Sequence, residues 1–129
     1  MDDRIREALA RGLTCDITTT GRRSGQPSRI EIWYFVIQGR VYITGTPGPR
    51  DWHANLLAEP RFIFHLKEGM RADLPARAVP ITDPAERRRI MAEVLRYNAW
   101  FRSQPFDLDA WVAGSPLVAV EFETLTAQQ

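Results

Sequence analysis

A β-hairpin is predicted by the run RIEIWYFVIQGRVYIT, which occupies positions 29–44. Residues 29–37 are rich in β-branched and aromatic side chains, which favour strands. The pair Gln38-Gly39 interrupts this run, and residues 41–44 resume the same composition. A short interruption that contains glycine, placed between two strand-forming runs, is typical of a tight antiparallel hairpin.

Four other segments have a strand-like composition, and turn residues separate them from their neighbours. They are residues 15–20, 61–67, 71–80 and 117–123. No helix of crossover length separates the first four strands, so a parallel βαβ arrangement is disfavoured. The pattern predicts a mainly antiparallel α+β fold in which six strands curl into a small barrel.

Three helices are predicted around these strands. Residues 3–12 carry apolar side chains at i, i+3 and i+4 spacing and end at a glycine. Asp51 is a suitable N-cap for a short helix over residues 51–57. Asp83 is followed by proline and, three residues after the cap, by glutamate, so a longer helix should run from there to about residue 102. Its apolar face comprises Ile90, Met91, Val94, Tyr97 and Phe101.

Length and charge narrow the class of protein. The 129 residues suit one domain, spanning 1–129, and 44% apolar residues can fill one core. A net charge of +1 gives no overall attraction to nucleic acid or to an anionic membrane. No apolar run approaches the roughly 18 residues of a membrane-spanning helix. A single cysteine and a charged N-terminus that is unlike a secretory signal favour the cytoplasm.

Several catalytic sets are missing from the sequence. The single lysine, Lys67, lies in Leu-Lys-Glu, which excludes a Walker phosphate loop. There is no Gly-x-Ser-x-Gly motif, and His53 and His65 have no carboxylate at metal-ligand spacing. Cys15 alone cannot form a cysteine-rich zinc site. We therefore expect no metal site, and we expect these histidines and the cysteine to be ordinary packing or surface residues.

Two glycine-containing loops are the most informative features. Residues 21–25 place Arg22, Arg23 and Ser24 between glycines, and residues 45–50 combine two glycines with a threonine and an arginine just before a predicted helix. Glycine turns, helix N-termini and arginines are common means of binding phosphate and carboxylate groups. A charged surface turn has the same composition, so each loop by itself leaves both interpretations open.

Three sequence motifs carry a resemblance to a known family. They are TTTGRRSGQP at 18–27, RIEIWY at 29–34 and DWHANLLAEPR at 51–61. In this order they resemble the deazaflavin-dependent nitroreductase and quinone reductase family of the split β-barrel flavin-binding superfamily. The resemblance implies a six-stranded split barrel, like that of pyridoxamine-phosphate oxidases, which binds the deazaflavin coenzyme F-420.

The cofactor-binding residues that the resemblance implies lie in the two loops and the short helix. They are Arg22, Arg23 and Ser24 for the phosphate and anionic tail, Thr44, Gly45 and Thr46 for the ring and ribityl chain, and Trp52 and Asn55 for pocket closure. Arg50, the cation that ends the second loop, is a further anion-binding candidate. Trp52 can equally be a core residue that anchors its helix. Tyr97 is the candidate proton donor, and Trp100 and Phe101 are among the aromatic residues that could replace the family's substrate-side tyrosines.

The implied function is an oxidoreductase that passes a hydride between reduced F-420 and an electron-poor quinone, nitroaromatic or enone. Catalysis would depend on positioning and water exclusion. Two alternatives stay open: dependence on FMN, and a non-catalytic barrel that binds flavin, haem or lipid. We also expect a homodimer, because Trp33, Phe35, Phe62 and Phe64 are more large apolar residues than a thin barrel core easily absorbs.

Overall fold

Six antiparallel strands close into a barrel in the computed structural model, which describes residues 1–123. The strands are β1 (Thr14–Thr20), β2 (Pro27–Ile37), β3 (Arg40–Thr44), β4 (Arg61–Leu66), β5 (Ala72–Pro80) and β6 (Leu117–Phe122). Their order around the barrel is β1-β2-β3-β6-β5-β4, and pairing of β1 with β4 completes the closure. The predicted antiparallel barrel is confirmed.

The β2–β3 hairpin has a two-residue turn. Ile37 pairs with Arg40, and both Gln38 (φ 51°) and Gly39 (φ 77°) adopt left-handed backbone conformations. Two positive φ angles give the turn a twist that matches that of the flanking strands. The register that this turn sets continues along the hairpin as far as the Tyr34–Ile43 pair.

A first core fills the barrel. Alternate residues of β1 and β4 point inward, and Cys15, Ile17 and Phe64 are fully buried there. The prediction for Cys15 is confirmed, and burial raises the pKa of its thiol. Helix α1 (Asp3–Arg11) packs against this core through Leu9, whose carbonyl accepts a hydrogen bond of 2.8 Å from the Tyr34 hydroxyl.

A second core lies between the outer faces of β2 and β3 and the helices of the C-terminal half. These helices are α3 (Pro84–Tyr97), α4 (Ala99–Arg102) and α5 (Leu108–Gly114). Phe101 stacks on the fully buried Trp111, with ring centroids 5.3 Å apart, and meets Phe35 edge-on. A single barrel core does not have to absorb all four large apolar residues on which the expected homodimer rested, because Phe62 and Phe64 lie in the first core and Phe35 packs against the second, while Trp33 stays partly exposed.

The predicted long helix is wrong at its C-terminal end. Helix α3 stops at Tyr97, because Asn98 leaves the helical conformation. The Asn98 side chain accepts a 2.9 Å hydrogen bond from the backbone N–H of Phe101, and this N-cap starts α4. Tyr97 is 71% exposed and so does not belong to the buried face. Helix α5, which the sequence analysis did not predict, begins where Asp107 accepts from the backbone N–H of Ala110.

Helix α2 (Asp51–Ala58) follows the second glycine loop, as predicted. Trp52 and Leu56 insert into the barrel core and are 8% and 1% exposed. This packing fixes the position of the loop that precedes α2. Within residues 1–123, none of the helices combines the length and apolar character needed to cross a membrane.

Candidate functional site

A cleft of about 320 Å³ opens between the second glycine loop, strand β2 and helix α4. Its polar side consists of the predicted residues Thr44, Gly45, Thr46 and Arg50. The structure thus brings together the part of the predicted site that lies in this loop. The volume is at the lower end of the range for small-molecule sites.

Three aromatic residues also line the cleft. Trp33 stacks on Phe101, with centroids 5.7 Å apart and an interplanar angle of 15°, and Trp100 lies 5.9 Å from Trp33 in a tilted arrangement. Trp33 and Trp100 stay 37% and 52% exposed, so the rings are accessible from the cleft. These are large apolar faces on which a planar ligand can stack.

Trp33 and its neighbours Glu31 and Ile32 line this cleft although the sequence analysis did not place them in the site. The register of the β2–β3 hairpin could have placed Trp33 at this cleft. With Ile37 opposite Arg40 and Tyr34 opposite Ile43, one further step of the register sets Trp33 beside Thr44. Trp100 and Phe101, by contrast, were among the expected substrate-side aromatic residues.

Arg50 is the cation of the cleft. Its guanidinium donates to the carbonyls of Pro49 (3.0 Å) and Thr46 (3.1 Å) and to the Thr46 hydroxyl. Among residues 1–123 it forms no ion pair with a carboxylate. A Cβ on Gly48, which has φ 128°, would lie 3.3 Å from Nη1 of Arg50, so the glycine leaves room for this charged group.

The N-terminus of α2 adjoins the same arginine. Arg50, and not the predicted Asp51, occupies the N-cap position, and among residues 1–123 no side chain accepts a hydrogen bond from the first turn of the helix. The first backbone N–H groups of a helix have no intrahelical partner, and the helix dipole makes this end attractive to anions. An uncapped helix end beside a guanidinium without a carboxylate partner is therefore a pair of features suited to a phosphate or carboxylate.

Arg22 has a different environment from the one predicted. Its backbone N–H and its guanidinium both donate to Oδ1 of Asn55, and the guanidinium also pairs with Asp51 at 3.2 Å. Asn55 is 6% exposed and donates from Nδ2 to the Thr19 hydroxyl. This network attaches the first glycine loop to α2.

Arg23 and Ser24 are exposed at the tip of the first loop. The Ser24 hydroxyl accepts a 3.1 Å hydrogen bond from the backbone N–H of Gln26, and a Cβ on Gly21 would lie only 2.5 Å from that hydroxyl. Neither residue lines the 320 Å³ cleft, and neither does Arg22. The structure does not bring the three residues of this loop together with Thr44, Gly45 and Thr46 in one cavity.

Three predicted residues remain, and each has a different environment. Trp52 belongs to the barrel core, which is the packing alternative considered for it. Thr44 lines the aromatic cleft but is only 2% exposed, and its hydroxyl donates to the Pro116 carbonyl at 2.6 Å. Tyr97 lines a separate cavity of about 170 Å³, outside the aromatic cleft.

The two histidines differ in their surroundings. His65 is 8% exposed and bridges the Thr18 hydroxyl (2.7 Å) and the Asp73 carboxylate (2.7 Å), and this bond lowers the pKa of Asp73. His53 is half-buried on α2, where burial and then the positive charge of Arg87 lower its pKa. Within residues 1–123, no three potential metal-ligating side chains form a cluster.

A family model described as F420H(2)-dependent quinone reductase matches residues 7–104. The chain belongs to the F420H(2)-dependent quinone reductase family. It is therefore an oxidoreductase, and the cofactor of its family is coenzyme F-420, in agreement with the resemblance carried by the sequence motifs. The comparison with curated proteins gives no match.

Solved structures share the fold at low sequence identity. A protein of unknown function from Agrobacterium tumefaciens superimposes with a TM-score of 0.70 at 19% identity; the alignment covers 92% of this chain but 51% of that one, so the chain spans about half of that protein. A protein from Listeria innocua described as a pyridoxamine 5'-phosphate oxidase gives 0.68 at 14% identity, covering 94% and 92%. A structure named F420 reductase gives 0.60 at 16% identity, covering 91% of each chain. These matches confirm the split β-barrel fold.

The residues of the cleft fit a planar anionic cofactor of this kind. The partly exposed rings of Trp33 and Trp100 offer an apolar face for a ring system, while Arg50 offers a positive charge that no carboxylate among the described residues neutralises. Gly48 leaves the space that a larger residue would fill beside that charge. The cleft therefore combines the two chemistries that a ring with a phosphate-bearing chain requires.

Proposed function

We propose that the aromatic cleft binds the ring of coenzyme F-420 together with an electron-poor planar acceptor of the quinone or nitroaromatic type. The observation that carries this proposal is the pairing, in one cleft, of the Trp33–Phe101 stack with the guanidinium of Arg50. When bound, the deazaflavin supplies the hydride chemistry that no side chain of this protein can supply. The acceptor class follows from the family description and from the aromatic wall.

Arg50 and the N-terminus of α2 would bind the phosphate of the coenzyme. The guanidinium has five N–H groups, and its three hydrogen bonds to the loop leave others free. Those three bonds also hold the planar group in one orientation, so little side-chain entropy remains to be lost on binding. Arg23, exposed and without an ion-pair partner among residues 1–123, is placed to contact a more distant anionic tail.

Arg22 and Asn55 would hold the parts of the site in place without binding the coenzyme ring. Their hydrogen bonds fix the first glycine loop against α2, which keeps the neighbouring Arg23 near the proposed phosphate site. Trp52 contributes in the same way, because its burial in the barrel core anchors α2. We propose that these three residues support the site and do not touch the coenzyme ring.

The aromatic wall would exclude water and orient the acceptor. Trp100 is the most exposed ring of the cleft and can close over a planar molecule that stacks on Trp33. Glu31 is the carboxylate among the residues that line the cleft, and it forms an ion pair with Lys67. Because Glu31 is engaged by Lys67, we propose that the proton required by the reduced acceptor comes from solvent.

The experiment that tests the function mixes the protein with reduced F-420 and a soluble quinone and follows reoxidation of the coenzyme. We expect reoxidation faster than in buffer alone, and we expect reduced FMN to support a slower reaction or none. Coenzyme that binds but is not reoxidised by any quinone or nitroaromatic would contradict the proposed acceptor class. Failure of both F-420 and FMN to bind would contradict the proposed site itself.

We also propose that the protein forms a homodimer. Trp33 and Trp100 stay partly exposed side by side, an unusual arrangement for two large rings on a monomer surface. Light scattering combined with size-exclusion chromatography should give twice the mass of the chain. A monomer mass at micromolar concentration would exclude the dimer.

A further inference from the structure

A second cavity, of about 530 Å³, adjoins the second glycine loop away from the aromatic cleft. Its lining includes His53 and Leu57 of α2, Arg87 of α3 and Ser115, which precedes β6. None of these residues has a part in the proposed hydride transfer. The cavity therefore needs its own explanation.

Arg87 is the charged group of this cavity. Its guanidinium donates to the carbonyls of Val112 (2.7 Å) and Ile81 (2.8 Å) and also to the carbonyl of Ser115. Within residues 1–123 it has no carboxylate partner, unlike its neighbours Arg88 and Arg89, which pair with Asp109 and Glu86. Three of its five N–H groups are occupied, so two remain for another acceptor.

Two further polar groups accompany this cation. The Ser115 hydroxyl belongs to a residue that is 4% exposed, and it has no hydrogen-bond partner among the described residues. A buried hydroxyl without a partner costs free energy and is rare in folded proteins. His53 lines the same cavity, and the Arg87 charge contributes to the lowering of its pKa.

The rest of the lining is apolar. Leu57, Pro80, Ile81 and Leu117 contribute hydrocarbon surface, and Leu57 is 56% exposed at the solvent side of α2. The volume exceeds what an inorganic anion needs and lies within the range for small organic ligands. Apolar walls around a guanidinium without a counter-ion suit a molecule with one anionic head and an apolar body.

We propose that this cavity binds the carboxylate or phosphate head of a small organic molecule, with Arg87 as the ion-pair partner and with Ser115 and His53 as hydrogen-bonding groups. The anion neutralises the half-buried guanidinium without displacing its bonds to the three carbonyls. A purely structural Arg87, which only joins α3 to the segment before β6, would show no response to anions. Titration with anions therefore distinguishes an anion-binding Arg87 from a purely structural one.

The chain contains only two histidines, so the ring signals of His53 and His65 can be followed separately by NMR. Benzoate, phenyl phosphate and chloride are titrated at constant ionic strength into the protein. An anion bound beside His53 favours its protonated form, and we expect its pKa to rise by about one pH unit at saturation with benzoate or phenyl phosphate. The ring signals of His65, which is bonded to Thr18 and Asp73 outside this cavity, should not respond to the anions and serve as the internal control.

Two variants test the role of the residues. Leu57→Asp places a carboxylate at the cavity without touching the hydrogen bonds of Arg87, and it should abolish the response to both organic anions. Ser115→Ala should weaken binding several-fold. Arg88→Gln, which removes a neighbouring surface charge, is the matched control and should bind like the wild type.

A further titration with F-420 shows whether the carboxylate bound in this cavity belongs to the tail of the coenzyme or to a separate molecule. A rise of the His53 pKa with F-420 that benzoate suppresses would assign the site to the glutamate tail of the coenzyme. A response to benzoate and none to F-420 would assign it to a separate molecule. If none of these anions changes the His53 pKa, or if Leu57→Asp responds like the wild type, the proposed site is wrong, whatever the outcome for hydride transfer.

Discussion

Arg22 donates two hydrogen bonds to Oδ1 of Asn55, one from its backbone N–H at 3.1 Å and one from its guanidinium at 3.0 Å. The amide of Asn55 in turn donates to the Thr19 hydroxyl at 3.2 Å. This arrangement joins β1, the first glycine loop and α2 through one buried side chain. Because Arg22 is engaged in this way, we propose that it supports the site, and that the exposed Arg23 beside it contacts the ligand.

Replacement of Asn55 by alanine should destabilise the protein. The change leaves the backbone N–H of Arg22 and the hydroxyl of Thr19 without this partner, and a loss of about 1–3 kcal/mol in the free energy of unfolding is expected. Chemical denaturation measures it. Arg23→Ala, an exposed change, serves as the control and should stay within about 0.5 kcal/mol of the wild type. Equal stabilities for the two variants would show that the network contributes little.

Arg23→Ala should weaken binding of F-420 without changing stability. The residue is exposed, so its contact with an anionic tail is worth about 1 kcal/mol or less and should fade as salt is added. Titrations of the coenzyme at low and high ionic strength measure both effects. Arg71→Ala, which removes another exposed arginine, controls for net charge. An affinity equal to that of the wild type at low salt would remove Arg23 from the site.

Stability should fall in acid, partly because of Glu68. Its carboxylate accepts hydrogen bonds from the backbone N–H groups of Thr14 (2.5 Å) and Leu13 (2.8 Å), and these bonds lower its pKa. A group whose pKa is lower in the folded state stabilises the protein above the pKa of the unfolded chain. That contribution is lost as the pH falls through the folded-state pKa.

The Glu68→Gln variant should therefore be less stable than the wild type at neutral pH, by about 1–2 kcal/mol. The difference should shrink as the pH falls from the ordinary glutamate range through the lowered pKa of the folded state, where the wild-type carboxylate becomes protonated. Thermal denaturation across this range measures it. Glu7→Gln, on the exposed face of α1, is the control. A difference that is constant with pH would exclude an ionised Glu68 as its cause.

Trp100→Ala should impair use of the acceptor more than binding of the coenzyme. The centroid of its ring lies 5.9 Å from that of Trp33, and the residue is half exposed. Its loss therefore removes a stacking surface worth about 0.5–1.5 kcal/mol, which should be measured mostly as a higher KM for quinone.

Tyr97→Phe tests the proton-donor role that the sequence suggested, and Tyr97 lines a different cavity from Trp100. We expect near wild-type rates for it. A large fall in kcat for Tyr97→Phe would restore the proton-donor role that the sequence suggested.

Local patterns in the sequence were sufficient to predict the barrel. The hairpin at residues 38–39, the strand composition and the Asp83 cap all act over a few residues, and each was found where expected. The break at Asn98 was missed because an asparagine inside an apolar helical pattern does not reveal whether its side chain caps a new turn.

The site was harder to predict, for physical reasons. The resemblance assigned Arg22 to the anionic tail and left Arg50 as a further candidate, and both are cations in glycine loops. Only the fold shows that Arg22 is engaged by Asp51 and Asn55, while Arg50 faces a cleft. Such pairing depends on contacts between residues about thirty positions apart. Trp33 could have been placed from the hairpin register, since a two-residue turn determines which residues lie opposite each other.

The central claim is that F-420 binds in the cleft between Arg50 and the Trp33–Phe101 stack, and quenching of tryptophan fluorescence by the coenzyme tests it most directly. Wild-type protein should be quenched saturably, because Trp33 and Trp100 line the cleft. Arg50→Gln should weaken the affinity by about 1.5–3 kcal/mol, Arg50→Lys should recover part of it, and Arg71→Gln should change nothing. Saturable binding with equal affinity in Arg50→Gln and the wild type would contradict the account.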